Sequence, residues 1–508
     1  MAAATPNDPG VPSRAKTARA TTGVAGFDDI LHGGLPKNRL YLIQGDPGVG
    51  KTTLATQFLL EGVRLGEVGL YITLSETKEE LEIVAQSHGW DISGIHLFEL
   101  AAVEEKLRGD TESTFFHPSE VELNRTTQTL LDEVERLKPA RVVFDSLSEM
   151  RMLAETALRY RRQMLQLKQF FAGRKITVLF LDDRSSSAHD LNIESIAHGV
   201  VTLQRSSPDY GISRRQLNVQ KIRGSTFREG NHDFILRRGG MEIFPRLVVS
   251  EHSAPFTREA VSSGIPALDD LLGGGLDRGT STMFMGPPGT GKSTLAIQFA
   301  VTAAERGEKA LIFIFDETVG TFASRAKKLG LGLEAQIANG NIEVQQVDPV
   351  EISPGELAQR IQCGVAQRGV KMVIIDSING YLNAMPAERY LTLQLHELLA
   401  ALGQQGVVTI MVLAQQGLIG HMQSAVDLTY LADTVLLLRF FETAGHVKQA
   451  VSLIKKRSGD HERTIREFRI TQQGIEVGSP LVNMQGVLTG VPQMVHHTDM
   501  APPQHPQD

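Results

Sequence analysis

Short apolar runs alternate with amphipathic segments through most of this chain. Because an uninterrupted apolar run suits a strand that is buried on both faces of a parallel sheet, these runs predict such strands. The predicted strands are Leu40–Ile43, Leu70–Leu74, Val142–Phe144 and Val178–Leu181, then Met283–Met285, Ala310–Phe315, Met372–Ile375, Val407–Leu413 and Val435–Leu438. Helices are predicted between them, for example Thr52–Leu65 and Thr126–Leu137. The alternation indicates the α/β class, with doubly wound, mostly parallel sheets flanked by helices.

The chain also contains an internal repeat. The segment GVAGFDDILHGGL, which begins at Gly23, matches GIPALDDLLGGGL, which begins at Gly264, and the same offset relates Lys51 to Lys292. A length of 508 residues has room for about two to four domains. We expect two homologous domains over residues 21–250 and 258–487, a linker over 251–257 that follows a strand-like Met241–Val249, and disordered tails over 1–20 and 488–508.

Composition narrows the class of protein. The net charge is −7, and the single cysteine, Cys363, excludes an intramolecular disulfide and a cysteine-rich zinc site. No apolar run approaches the about 18 residues of a membrane span, and no basic excess points to nucleic acid. We therefore expect a cytoplasmic protein that contacts no membrane and for which DNA is not the expected partner.

Each half carries a loop of the form G-x-x-x-x-G-K-[ST] between a predicted strand and a predicted helix. In such a loop the backbone N–H groups surround the phosphates of a nucleotide, the lysine reaches the β- and γ-phosphates, and the last hydroxyl holds Mg²⁺. A chance glycine-rich turn is the alternative, and two matches in register within a repeat argue against it. The predicted ATP-binding residues are Gly45, Asp46, Pro47, Gly48, Val49, Gly50, Lys51, Thr52 and Thr53, and Gly286, Pro287, Pro288, Gly289, Thr290, Gly291, Lys292, Ser293 and Thr294.

An aspartate ends a later buried strand in each half, at Asp145 and at Asp376. After a phosphate loop, such an aspartate is expected on the metal side of the nucleotide, and a helix cap is the alternative. The predicted Mg²⁺ residues are Thr52, Asp145, Ser293 and Asp376.

Hydrolysis of ATP also needs a group that orients water. Glu76 and Glu317 follow a predicted strand at equivalent positions, and we predict that they act as this base, with a capping role as the alternative. Asp316 precedes Glu317 and is predicted to be catalytic too, whereas Ser75 stands at the matching position of the first half. We therefore expect the second site to contribute more of the turnover than the first.

These motifs, together with the run KKRSGDHERTIREF from Lys455 to Phe468, resemble the KaiC family of RecA-like ATPases over about residues 20–487. The resemblance implies two tandem RecA-like P-loop NTPase domains that form a homohexameric double ring with ATP at the subunit interfaces. It also implies serine/threonine autophosphorylation in the C-terminal domain. The family times the cyanobacterial circadian clock with KaiA and KaiB. For this chain it implies an ATPase and autokinase that uses ATP and Mg²⁺ in timing or signalling.

The resemblance also suggests partners and residues that act on a neighbour's nucleotide. A KaiB-like or a two-component signalling protein is the implied partner, since residues 493–508 show no match to the family's KaiA-docking tail. The implied residues that act on the neighbouring copy are Lys221 and Arg223 in the first half, and Lys455, Arg457 and His461 in the second. Phe227 stands where the first half would carry the matching histidine, so that contact is missing there.

The family's phosphoacceptor pair falls on Thr429 and Tyr430, and its upstream threonine falls on Ser424. A threonine hydroxyl can accept a phosphate directly, whereas the longer tyrosine changes the geometry of transfer. The alternative for Thr429 is a β-branched residue that leads into a strand. The first half has Glu194 and Ser195 at the matching positions and thus no acceptor pair.

Two other functions stay open on the sequence alone. One is a RecA-like ATPase that acts on DNA, which DNA-stimulated hydrolysis would reveal. The other is a signalling scaffold that binds ATP for assembly and transfers no phosphate, which a lack of phosphate incorporation would reveal.

Overall fold

The computed structural model describes residues 18–99, 118–154, 156–183, 193–207, 211–348, 350–383, 390–415, 428–489 and 493–494. Contacts divide the chain into two compact units: the first ends at Arg246, and the second consists of the chain from Leu247 onward together with the short segment that ends at Ile212. Each unit is built around one large sheet with helices on both faces.

The first unit contains a sheet of nine described strands in the order β11-β10-β9-β8-β3-β7-β6-β4-β5. The pairings from β8 to β5 are parallel, and those from β8 to β11 are antiparallel. The sheet consists of β3 (Leu40–Gly45), β4 (Gly69–Thr73), β5 (Ile95–Glu99), β6 (Arg141–Asp145), β7 (Thr177–Asp183), β8 (Gly199–Ser206), β9 (Arg214–Ile222), β10 (Asn231–Arg237) and β11 (Gly240–Phe244). Two short strands, β1 (Arg19–Ala20) and β2 (Leu35–Pro36), pair separately with each other. Its helices are α1 (Ala25–Ile30), α2 (Lys51–Arg64), α3 (Lys78–His88), α4 (Pro118–Leu137), α5 (Leu147–Ala154) and α6 (Ala157–Ala172), with a 3₁₀ turn at Ile193–Ser195.

The second unit repeats this plan with the strand order β16-β15-β17-β18-β14-β19-β20-β21-β22, of which β19 to β22 are antiparallel. Its strands are β12 (Ala260–Val261), β13 (Leu276–Asp277), β14 (Ser281–Gly286), β15 (Lys309–Ile314), β16 (Ile342–Gln346), β17 (Val370–Asp376), β18 (Val408–Ala414), β19 (Thr434–Thr443), β20 (His446–Lys456), β21 (Ile465–Thr471), β22 (Gly474–Pro480), β23 (Met484–Gln485) and β24 (Gln493–Met494). Its helices are α7 (Pro266–Leu271), α8 (Lys292–Glu305), α9 (Val319–Lys328), α10 (Leu333–Ala338), α11 (Pro354–Arg368), α12 (Ile378–Asn383) and α13 (Leu391–Gln404), with 3₁₀ turns at Val249–His252 and Val487–Thr489.

The central strands are buried on both faces, which is why their sequences are continuously apolar. On β3, Tyr41 and Ile43 belong to the core on one face of the sheet, while Leu40 and Leu42 belong to the core on the other. This is the period of two that a strand requires. The predicted central strands and the doubly wound class are therefore confirmed.

One predicted strand is wrong at its end. The strand-like segment Met241–Val249 forms a strand only as far as Phe244, because Pro245 has no N–H to donate to the ladder. A short 3₁₀ turn, Val249–His252, follows and overlaps the first two residues of the predicted linker, 251–257.

Candidate functional site

The phosphate loops lie at the carboxyl ends of β3 and β14, near the middle of each sheet, and each opens a long helix. The residue before each helix is a glycine in the left-handed region, Gly50 with φ 120° and Gly291 with φ 95°. Other residues adopt this conformation at a cost, which explains the glycine in the motif. The first N–H groups of α2 and α8 have no carbonyl partner inside their own helix, and they form an anion-binding end.

Within the loops, some residues face outward and others pack into the fold. The exposed residues are Asp46, Pro47, Gly48, Pro288 and Gly289. The buried ones are Gly45, Val49, Lys51, Thr53, Gly286, Pro287, Thr290, Lys292 and Thr294, while Gly50, Thr52, Gly291 and Ser293 are half-buried.

The two loop lysines differ in their partners. Lys51 Nζ donates to the carbonyls of Gly45 and Asp46 at 2.8 and 3.0 Å, and it forms an ion pair with Asp183 Oδ1 at 2.7 Å. Asp183 is positioned by the sheet, since β7 pairs it with Gly45. In the second unit Gly286 pairs with Ala414 instead, so no carboxylate stands there.

Lys292 Nζ donates to the carbonyl of Pro287 at 2.7 Å. Burial lowers the pKa of Lys292 to about 8, and the negative charge of Asp376 opposes that shift. A γ-phosphate bound beside Lys292 would raise this pKa again, since a nearby anion favours the protonated form.

The predicted metal residues of the first unit are brought together by the fold. Thr52 Oγ1 donates to Asp145 Oδ2 at 3.1 Å, and the buried Tyr71 hydroxyl donates to the same oxygen at 2.5 Å. Burial raises the pKa of Asp145, and the hydrogen bonds from Tyr71 and Thr52 oppose that shift.

The second unit has the same arrangement with one difference. Burial raises the pKa of Asp376 to about 6, and a hydrogen bond from Ser293 opposes that shift. Asp376 Oδ2 is buried and accepts no hydrogen bond from the described residues. A hydroxyl and a carboxylate oxygen are the ligands that Mg²⁺ prefers, so these residues fit that ion.

The capping alternative for the two glutamates is excluded by the helix starts. Thr77 caps α3 and forms a reciprocal capping box with Glu80, while Thr318 caps α9. Glu76 and Glu317 each lie one residue before the cap, in the connection from β4 or β15.

The environments of these two carboxylates differ sharply. Glu76 Oε2 is buried and has no hydrogen-bond partner among the described residues. Burial, with the negative charges of Asp145 and Glu80, raises the pKa of Glu76 to about 7. Glu317 instead accepts two hydrogen bonds from the Arg325 guanidinium, Nη1–Oε2 at 3.0 Å and Nη2–Oε1 at 2.7 Å. These contacts favour Glu76, not Glu317, as the freer base.

Asp316, the acid that Ser75 replaces in the first half, is also held. Its Oδ2 accepts a hydrogen bond from Ser377 Oγ at 2.5 Å. Ser377 directly follows Asp376, so this bond joins the acidic pair to the metal side of the site.

A second cluster of predicted residues lies at the amino end of β14, opposite to the phosphate loop, in the turn that precedes β19. Lys455 Nζ donates to the carbonyls of Thr429 and Ala432 at 2.8 and 2.7 Å. Arg457 Nη2 donates to the carbonyl of Tyr430 at 3.0 Å. The two implied cations therefore hold the backbone of the two implied phosphoacceptors, of which Thr429 is half-buried and Tyr430 is exposed.

The first unit has the same hydrogen bonds without the acceptors. Lys221 Nζ donates to the carbonyl of Glu194, and Arg223 Nη2 donates to that of Ser195 at 2.7 Å. The structure thus places Glu194 and Ser195 where the second unit has Thr429 and Tyr430. Phe227 packs against the apolar core.

His461, the remaining implied residue, is half-buried in the connection between β20 and β21. Its backbone N–H donates to Asp460 Oδ1 at 2.9 Å. Ser424 lies outside the described residues.

The phosphate loop and the acceptor turn of the second unit are separated by the length of a strand. Asp433 N donates to the carbonyl of Ser281, the first residue of β14, at 2.8 Å, whereas Gly286, the last, opens the loop. Six residues of strand span roughly 17 Å. A nucleotide in the loop therefore lies far from Thr429 of the same copy.

A comparison with known protein families decides to which family the chain belongs. The model of the KaiC ATPase family matches residues 20–248 and 261–482, one match in each repeat. The chain belongs to the KaiC ATPase family. The resemblance, the tandem RecA-like fold and the two-domain ATPase that the sequence predicts are thereby confirmed, and a KaiC-family ATPase binds ATP.

Known KaiC proteins match over nearly the whole chain but at low identity. The circadian clock oscillator protein KaiC of Thermosynechococcus vestitus is 26% identical over 505 residues, which cover 95% of this chain and 93% of that protein. KaiC of Acaryochloris marina is 25% identical with the same coverage, and KaiC 1 of Synechocystis sp. is 24% identical over 96% of this chain and 94% of its own length. Among the described residues, no helix has both the length and the apolar character needed to cross a bilayer.

Proposed function

We propose that the protein is an ATP-hydrolysing homohexamer in which the second site also transfers a γ-phosphate to Thr429 of the neighbouring copy. Tyr430 is the alternative acceptor. The observation that carries this proposal is the separation of the loop and the acceptor turn, at opposite ends of β14. Because a single copy cannot bring them together, ATP would lie between copies. Lys221 and Arg223 would reach the neighbour's phosphates in the first site, and Lys455, Arg457 and His461 would do so in the second.

In hydrolysis, the water oxygen forms a bond to the γ-phosphorus while the bond from that phosphorus to the β–γ bridging oxygen breaks. The water proton passes to Glu76 in the first site or to Glu317 in the second, and ADP and phosphate leave. Lys51 or Lys292 and the N–H groups of the loop stabilise the phosphate charge. Thr52 with Asp145, and Ser293 with Asp376, would hold Mg²⁺, which neutralises charge on the phosphates when bound.

In phosphate transfer, Thr429 Oγ1 takes the place of water. Its proton passes to Asp316 or Glu317 of the copy that holds the ATP, and ADP leaves. Phosphothreonine carries a charge of about −1.5 to −2. This charge would arise beside Lys455 and Arg457, which bind the same turn, so phosphorylation would change the contacts of both cations.

A charge switch at a subunit boundary suits a timing or signalling role, as the names of the relatives suggest. We propose a KaiB-like or two-component signalling protein as the partner that reads this state.

Mixing two inactive variants tests transfer between copies. Lys292→Ala removes phosphate donation, and Thr429→Ala removes the acceptor. With Mg²⁺ and labelled ATP, neither variant alone should incorporate label, whereas the mixture should label the Lys292→Ala copies at Thr429, as located by mass spectrometry. Size analysis with and without Mg-ATP checks that nucleotide favours the ring.

Three outcomes separate the alternatives. Label that survives Thr429→Ala and disappears in Tyr430→Phe would move the acceptor to Tyr430. Absence of label in the unmodified protein would leave an ATPase without kinase activity. A protein that stays monomeric with Mg-ATP would refute the interfacial site.

A further inference from the structure

The base of the second site is bound by a guanidinium from the next helix. Arg325 Nη1 and Nη2 each donate to a different oxygen of Glu317, at 3.0 and 2.7 Å. Charge-assisted bonds in this parallel arrangement are among the strongest in proteins and fix the orientation of both groups. The guanidinium also lies 5.3 Å from the ring centre of the buried Phe322, one turn earlier on α9. Both oxygens of Glu317 are thus engaged.

The internal repeat supplies a natural comparison. Helices α3 and α9 start after equivalent threonine caps, Thr77 and Thr318. Seven residues beyond the cap the first helix has Val84, where the second has Arg325. Glu76 Oε2 accordingly has no partner in the described part of the first unit. At this matched position the second site therefore has a cation that the first site lacks.

The position of Arg325 also ties it to the metal side of the site. The ladder between β15 and β17 places Ile314 beside Asp376, and Glu317 follows three residues later. The ion pair therefore lies close to where the γ-phosphate and its metal would be bound.

We propose that Arg325 is a positioning residue that restrains Glu317 and thereby slows water activation at the second site. The bidentate guanidinium occupies one lone pair on each oxygen of Glu317 and fixes the plane of the carboxylate, so Glu317 must turn away from Arg325 or use its remaining lone pairs to accept a proton from water. The first site has no such restraint. The restraint would keep ATP at the second site available for transfer to a protein hydroxyl, whose proton would then pass to Asp316, which Arg325 does not bind. This inference rests on the proposed function, in which Glu317 is the base.

The test uses full-length protein with the first site silenced by Lys51→Ala, so that steady-state phosphate release reports the second site. Here Arg325→Val, which copies the first site, should raise kcat about fivefold, equivalent to about 1 kcal/mol, with KM unchanged. Arg325→Gln, which keeps a shorter, uncharged polar side chain, should give the same rise. Arg325→Lys keeps the charge but not the two parallel hydrogen bonds and should restore only part of the restraint. Adding Glu317→Gln to Arg325→Val should abolish the rise.

The reciprocal experiment silences the second site with Lys292→Ala and introduces Val84→Arg, which should lower kcat about fivefold. Melting temperatures identify the variants that keep the fold. A kcat that is unchanged or lower in folded Arg325→Val and Arg325→Gln would overturn the proposal, as would a rise that persists with Glu317→Gln. Turnover that survives Lys51→Ala and Lys292→Ala together would refute the proposed function instead.

Discussion

Glu76 should destabilise the folded protein at neutral pH, and its removal should reveal by how much. Burial and the charges of Asp145 and Glu80 raise its pKa from 4.5 to about 7. A carboxyl whose pKa is raised by folding stabilises the fold only below its unfolded pKa, and this contribution is lost as the pH rises through the folded pKa. The full difference corresponds to about 3 kcal/mol. Because the side chain is only half-buried, solvent screening reduces the expected cost to about 1–2 kcal/mol.

The perturbation is Glu76→Gln, which keeps the shape of the side chain and removes the charge. We expect the free energy of unfolding of the first unit to rise by about 1–2 kcal/mol at pH 8, and by only a small part of that at pH 5, where folded Glu76 is protonated. Calorimetry of the nucleotide-free full chain at both pH values measures this difference as a shift in the melting temperature of the first unit.

The matched control is Glu317→Gln in the same assay. That substitution removes the ion pair with Arg325, and it should lower the stability of the second unit at pH 8. A Glu76→Gln variant that is equally stable or less stable than the unmodified protein at pH 8 would refute the reasoning, since it would mean that folding compensates the buried charge.

Three further predictions concern other buried groups. Arg141 is 1% exposed and pairs with Glu67 at 2.5 Å, so Arg141→Ala should lower the stability of the first unit by about 3–5 kcal/mol in urea unfolding; a loss below 1 kcal/mol would contradict a buried ion pair. Asp183→Ala removes the carboxylate paired with Lys51 and should lower KM for ATP at the first site about threefold, whereas an unchanged KM would show that the pair does not compete with phosphate. Burial lowers the pKa of His232 to about 4, so melting temperatures of the first unit should fall as the pH drops from 6.5 to 4, and His232→Gln should flatten that slope; an unaltered slope would assign it to other groups.

The central strands and the phosphate loops could be predicted because their signals are local in the sequence. The run that predicts a strand at Leu40–Ile43 corresponds to β3, which extends to Gly45, and the loop motif follows it directly. The antiparallel strands β9 and β10 are harder to predict, because they are only partly buried and lack long continuous apolar runs. Pro245 ends β11 before the strand-like segment Met241–Val249 is complete.

The residues that distinguish the two sites could not be predicted from local patterns. Asp183 meets Lys51 because sheet register pairs β7 with β3 across more than a hundred residues. Arg325 reaches Glu317 because two turns of helix bring it back over the end of β15. From Ser75 alone we expected the second site to contribute more of the turnover, and the ion pair of Glu317 argues for the reverse.

The placement of loop and acceptor turn at opposite ends of β14 has a consequence for mixed populations. A contact between the loop of one copy and the acceptor turn of the next runs head to tail. Such contacts cannot close into a two-fold dimer and must form a ring or an open filament. In the proposed assembly every site takes its loop from one copy and its cations from the next. Adding copies that are defective only in the loop would then reduce activity in proportion to their share. Copies that are defective in both the loop and the cations would damage two sites each. Activity would then follow the square of the intact fraction, so a doubly defective allele would be strongly dominant over the normal one.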